Sequence, residues 1–174
     1  MQAEPSTRVV KDRSLRLKFV VGKKQFEAKF ESGTIVEVTS EEDGYKESWY
    51  AAKIIGSMRT DKFLVEYQDL VTEDGMQLLR EEAETRHVRP VPPLLPPVPY
   101  FEKLQKVDAW YNDGWWEGVI SKLQPGGLYV VYFRSTNEEL IFKHSELRPH
   151  QDWINGKWMI ATKVKRLGVT IFLL

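Results

Sequence analysis

The 174 residues contain no cysteine, which excludes disulfides and thiolate zinc sites and favours an intracellular protein over a secreted one. Histidine is scarce. There are three, and none stands at a metal-binding spacing from carboxylates, so neither a metal nor a cofactor is expected. Net charge is absent, with 25 Lys and Arg against 25 Asp and Glu. A balanced chain is poorly suited to gripping a phosphate backbone along a whole face, although it leaves room for a local basic patch. No apolar run approaches the roughly 18 residues of a membrane span, so no membrane partner is expected. The start, Met1-Gln2-Ala3-Glu4-Pro5, shows no basic stretch leading into an apolar one, so no signal peptide is expected. A glycine-rich phosphate loop and a paired-carboxylate motif are both missing, so the chain does not read as an enzyme.

What is present is aromatic and β-patterned. Hydrophobic residues make up 42% and aromatic residues 12%, enough to expect a folded core in one compact domain or two small ones. The most conspicuous stretch is Val107-Asp108-Ala109-Trp110-Tyr111-Asn112-Asp113-Gly114-Trp115-Trp116-Glu117-Gly118-Val119-Ile120. A short apolar strand enters a polar turn and leaves it on two tryptophans into a second strand. Ile35-Val36-Glu37-Val38 followed by Gly44-Tyr45-Lys46-Glu47-Ser48-Trp49-Tyr50-Ala51-Ala52-Lys53-Ile54-Ile55 has the same plan. Each copy continues with a third strand (Lys62 to Tyr67; Leu128 to Phe133), a polar loop, a fourth strand and an Arg-Pro exit at Arg89-Pro90 or Arg148-Pro149. A fixed order of similar segments argues for duplication. The alanines at 51 and 52 suit a strongly curved sheet closing into a tiny barrel. Glu81 to Arg86 also has a short-helix reading, ranked below strand and turn.

The expected organisation is therefore all-β. Residues 1–29 form an N-terminal extension with a candidate hairpin, 30–90 a first small barrel, 91–100 a proline-rich linker, 101–158 a second barrel and 159–174 a C-terminal extension. Prolines at 90, 92, 93, 96, 97 and 99 exclude helix and central strand from the linker and make it extended and stiff. An SH3-type docking ligand abutted by Arg89 is the rival reading of that run. Trp153 and Trp158 are expected to cover the second barrel's open end or to pack between the two modules. The apolar end at Gly168 to Leu174 must pair or bury.

Aromatic rings gathered at one rim of a small barrel suit a methylated lysine. That cation keeps its charge, loses N–H donors and gains apolar bulk, and each well-placed ring is worth about 0.5–2 kcal/mol. A neighbouring carboxylate pairs with any remaining N–H. Tyr45, Trp49 and Tyr67 are the candidate cage of the first module, and Trp110, Trp115, Trp116, Tyr132 and Phe133 the alternative cage of the second. Alternation sets Trp49 opposite Tyr50 and Trp115 opposite Trp116, so one of each pair belongs to the core. Acidic residues crowd the first module's loops. Glu41, Glu42, Asp43, Asp69 and Asp74 are the candidate peptide-binding carboxylates, since a basic tail is drawn to such a field. Basic residues Lys143, His144, Arg148 and His150, with Lys163 to Arg166 beyond, offer a nucleic-acid contact as the alternative.

The two quoted stretches, with the Trp153 region following in order, resemble the tandem Agenet domains of plants, a Tudor-like branch of the Royal superfamily. The resemblance covers residues 30–158. It implies two near-five-stranded barrels, closely packed through strand exchange or a shared linker. Members include nuclear readers of histone H3 dimethylated on lysine 9, acting in heterochromatin and in gene and transposon silencing. In those readers the cage lies in the first Agenet of a pair, which on this chain implicates Tyr45, Trp49 and Tyr67 with Asp69 or the acidic loops nearby. Trp110 and Tyr132 match Tudor cage positions in the second. The implied partner is the histone H3 N-terminal tail, bound by a monomeric portion of a larger chromatin protein in the nucleus. The alternative function is a nucleic-acid-binding or scaffold module of the same fold without a cage.

Overall fold

The computed structural model describes residues 30–160. The expected N-terminal hairpin and the C-terminal apolar end lie outside the described residues. Five strands build the first barrel: β1 (Ile35–Val38), β2 (Ser48–Arg59), β3 (Lys62–Val71), β4 (Leu78–Glu84) and β5 (Val88–Pro90). Five more build the second: β6 (Lys106–Tyr111), β7 (Gly114–Gln124), β8 (Leu128–Phe133), β9 (Glu138–Lys143) and β10 (Leu147–Pro149). A hairpin of β11 (Gln151–Ile154) and β12 (Lys157–Ile160) follows. Among the described residues there is no α-helix. The short-helix reading at 81–86 gives way to strand and a 3-10 turn, Thr85–His87. Pairing decides this: β4 runs antiparallel to β3 with Phe63 opposite Ala83 and Glu66 opposite Arg80, and those partners override helical propensity.

The two barrels are the same device built twice. Strand order is β4-β3-β2-β1-β5 in the first and β9-β8-β7-β6-β10 in the second. The Arg-Pro exits, read from sequence as mere endings, are the fifth strands; each pairs antiparallel with the first strand of its own barrel. β2 and β7 are the long bent members. Their side chains alternate strictly between inside and outside at first. Each then breaks register with its neighbour just past the equivalent isoleucine, Ile54 in β2 and Ile120 in β7. A bulge there bends the strand and strengthens its twist, so one strand can serve two sides of a small barrel. Ala52 and Gly118 hold matching inward positions. An added Cβ at Gly118 would stand 2.4 Å from Val131 Cγ1, so only glycine fits there.

The joint between the barrels is a piece of sheet. β2 pairs with β7 at Ser48–Trp116 and Trp49–Trp115, and Glu117 N donates to Glu47 O at 2.8 Å. Contact therefore comes from a shared ladder, without exchange of a strand. Gly114 makes room for it, since a Cβ on that residue would lie 2.7 Å from the Tyr50 ring. The linker crosses as extended chain, tied down where Gln151 Nε2 donates to Pro93 O at 3.1 Å and, just beyond it, where buried Phe101 packs edge-on against Tyr129 and tilted against His144.

Candidate functional site

Alternation along β2 and β7 sorts the aromatic residues onto two faces with different jobs. On one face Tyr50 lies between Tyr67 and Trp116, with ring centroids 6.4 and 6.5 Å away and nearly perpendicular planes. Tyr111 continues the row, 6.2 Å from Trp116. Tyr45, in the β1–β2 loop, is half exposed at 51%. It and Asp113 lie close enough to Tyr50 to add to the effect of burial in raising that phenol's pKa. The Tyr67 hydroxyl donates to the Glu81 carboxylate. Burial first, then Glu81, with smaller contributions from Tyr50 and Glu42, push the Tyr67 phenol far above its ordinary range. Tyr45, Tyr50, Tyr67, Glu42 and Glu81 thus form one aromatic and acidic rim.

The opposite face carries Trp49, Trp110 and Trp115, and it meets charge. The Arg89 guanidinium lies 3.6 Å from the Trp49 ring centroid and 5.2 Å from that of Trp158. Arg148 lies 4.3 Å from that of Trp115, and Trp110 packs edge-on against Trp115 at 5.1 Å. Both arginines reach buried carboxylates. Arg89 Nε and Nη2 donate to Glu37 Oε2 at 2.9 and 2.7 Å. Arg148 donates to Glu37 of the first barrel at 2.8 and 3.1 Å and to Asp108 of the second at 2.9 Å. His150 Nδ1 contacts Asp108 at 2.6 Å and Nε2 contacts Asp152 at 3.0 Å. Burial alone would lower the His150 pKa, but these two carboxylates carry it up to about 9, so both ring nitrogens donate. Asp108 is buried, which raises its pKa, yet His150, Arg148 and Arg89 outweigh that and hold it below the usual carboxylate range.

The candidate residues are therefore regrouped. The first-module set of Tyr45, Trp49 and Tyr67 is not brought together: Trp49 stands one residue out of phase with the rim and covers Arg89, while Tyr50 occupies the place beside Tyr67. The second-module set divides in the same way. Trp116 and Phe133 are buried, with Tyr111 exposed at the end of their row, Trp110 and Trp115 belong to the arginine face, and the Tyr132 hydroxyl donates to Asn137 at 2.9 Å on the outside. Tyr50, Tyr111 and Glu138 were not singled out, and Glu81 was read only as one of the acidic residues around the first module. Strict alternation, which puts Tyr50 in phase with Ala52 and Ile54, was the available signal.

The carboxylates differ too. Asp43 pairs with Lys46 at 2.6 Å, Glu41 with His87 at 3.2 Å, and Asp74 accepts from Thr72 and Met76 within its own turn. Glu42 sits by Tyr67, and Asp69 is exposed on β3. The basic set does not form a free patch. Arg148 and His150 are held in the ion cluster and His144 stacks on Phe101 and Tyr129, while Lys163 to Arg166 lie outside the described residues. Arg89, which the docking-ligand reading of the linker needs, is 2% exposed and turned inward.

Beyond the Trp116 end of the row opens a cleft of about 170 Å³ lined by Gly44, Tyr111, Asn112, Trp116, Phe133, Thr136, Glu138 and Leu140.

Residues 33–93 match the Agenet domain family. The crystal structure of Arabidopsis thaliana AGDP1 AGD34 superposes with a TM-score of 0.70 at 44% identity, covering 75% of this chain and 89% of that one. This chain belongs to the Agenet family. The ADCP1 tandem Agenet domain 3-4 structure is similar as well, with a TM-score of 0.68, 41% identity and coverage of 75% and 87%. Of longer relatives, Protein AGENET DOMAIN (AGD)-CONTAINING P1 of Arabidopsis thaliana is 47% identical over 79% of this chain and 27% of its own length. DUF724 domain-containing protein 3 of the same plant is 36% identical over 72% and 19%. The chain thus spans about a quarter or less of these curated relatives. Its two Tudor-like barrels are a tandem Agenet pair, a module of the chromatin-reader type.

Proposed function

We propose that this tandem Agenet pair is a non-enzymatic histone-tail reader that takes a methylated lysine between Tyr45, Tyr50 and Tyr67. The observation that carries the proposal is the perpendicular Tyr50–Tyr67 pair at 6.4 Å, buried beside exposed Tyr45 and close to the carboxylates of Glu81 and Glu42. Perpendicular rings offer π faces from two directions to one cation. Glu81 holds Tyr67 through Oε1, leaving Oε2 to accept from a mono- or dimethylammonium N–H. The acidic β1–β2 loop supplies long-range attraction for a basic tail.

Family resemblance supports the finer parts of the reading. The proposed ligand is the histone H3 tail dimethylated on lysine 9, bound in the nucleus, and the proposed role is support of heterochromatin and silencing. Micromolar affinity is expected for a short peptide with few anchors. Calorimetry with the Tyr45→Ala variant tests the site. Loss of one ring should reduce preference for the dimethylated over the unmodified peptide roughly tenfold, with the fold intact because Tyr45 lies outside the core. Unchanged preference in that variant would place the methyl group elsewhere.

A further inference from the structure

Burial along the proline-rich linker has a period of three. Pro92 and Phe101 are buried and Leu95 and Val98 half-buried, while every residue between them is exposed. Three residues per turn is the repeat of polyproline II, and the sequence dictates that conformation. Prolines 92, 93, 96, 97 and 99 fix φ at about −65°, and a residue before proline is held extended. None of residues 90–101 takes a positive φ. One edge of this left-handed helix lies on the barrels. Val98 packs against the core, Pro93 O accepts from Gln151 Nε2 at 3.1 Å, and Phe101 seats its ring 5.6 Å from that of Tyr129. The other two edges face solvent. Pro93, Pro96 and Pro99 form one; Leu94, Pro97 and Tyr100 form the other, with Leu94 fully exposed and Tyr100 62% exposed. The surface thus offers Pro-Leu, Pro-Pro and Pro-Tyr pairs, each one turn of the helix further on, and the barrels use none of that apolar area.

We propose that these two open edges are a ligand for a partner protein carrying a WW-type domain, whose groove is walled by aromatic rings. Such grooves take a polyproline II helix that is already formed, and they grip it from one side, so two free edges suffice. The barrels have fixed the helix in advance, which removes most of the ordering cost of binding. Charge selects the kind of groove. No charged residue stands between Pro90 and Phe101. Arg89, just before the run, is buried and donates to Glu37. An SH3-type groove with an acidic rim therefore finds no cation beside the prolines, whereas a groove of uncharged rings needs none. The linker so becomes a second docking surface on the chain, one that presents its own residues to a partner's pocket.

The test is titration of the 174-residue chain into a panel of isotope-labelled recombinant WW domains, read by NMR at the indole N–H of each groove tryptophan. At least one domain should show a saturable shift. Leu94→Asp sets a carboxylate against the rings and should weaken binding about tenfold. Pro96→Ala takes a ring from the other edge and should weaken it about fivefold. Both positions are exposed, so the barrels stay folded in each variant. A free peptide of residues 89–102 should bind the same domain less tightly than the chain, because it must be ordered first. Silence across the panel overturns the proposal, and so does binding that neither substitution alters. A peptide that binds more tightly than the chain overturns it too, since the barrels would then be covering an edge. Saturable binding to SH3 domains in place of WW domains overturns the choice of groove and the proposal with it.

Discussion

Glu37, Arg89, Asp108, Arg148 and His150 are the residues that make two barrels one body. Their side chains form a chain of contacts in which Arg148 bridges Glu37 of one barrel and Asp108 of the other, roofed by Trp49, Trp115 and Trp158. Removing one member of a buried ion pair leaves its partner charged and dry, which costs about 3–5 kcal/mol. Arg148 still reaches Glu37, so Arg89→Ala should lower the unfolding free energy measured in urea by up to that amount, and an unaltered value would show that the cluster does not stabilise the fold. His150 adds a pH signature. Its folded pKa stands at about 9 against an ordinary 6.5, so its contribution is complete below the ordinary value and vanishes as pH rises through 9. The thermal midpoint should fall across that window, and His150→Gln should flatten the fall. None of this was legible as interaction. The repeated Arg-Pro exits were visible, but the Arg89–Glu37 and Arg148–Glu37 pairs span 52 and 111 residues, and only closure of both barrels reveals what the arginines meet.

At the scale of elements, the two hairpins that set the rim were the most readable parts of the chain. Apolar alternation, Asn112-Asp113 and the paired tryptophans mark β6 and β7; the turn residues take φ values of +46° and +59°, the left-handed region that a two-residue hairpin requires. β5 and β10 were not readable as strands, being three residues long and ending in proline; the first strand of each barrel makes them so. Trp49 shows the limit of reading by type alone: an aromatic residue opening a strand looks the same whichever way it faces, and a shift of one residue moves it from the rim to the arginines. The joint has its own test. Gly114→Ala puts a methyl group into the Tyr50 ring, and overpacking of this kind costs about 1–3 kcal/mol. Its unfolding midpoint in urea should drop accordingly. Wild-type stability would mean that Tyr50 is not held against the second barrel.

For the whole molecule, a net charge of zero conceals a division of labour. Arginines and one histidine are drawn inward between the barrels, while the first barrel's loops keep Glu41, Glu42 and Asp43 exposed. Basic residues hold the pair together and acidic residues face solvent, a field that attracts cations more than a phosphate backbone. The central claim is methyl recognition, and its most direct measurement is calorimetry of the chain against two histone H3 tail peptides differing only in dimethylation of lysine 9. A dissociation constant lower by about tenfold or more for the dimethylated peptide is the expected result, corresponding to about 1.4 kcal/mol. Equal constants for the two peptides would contradict it.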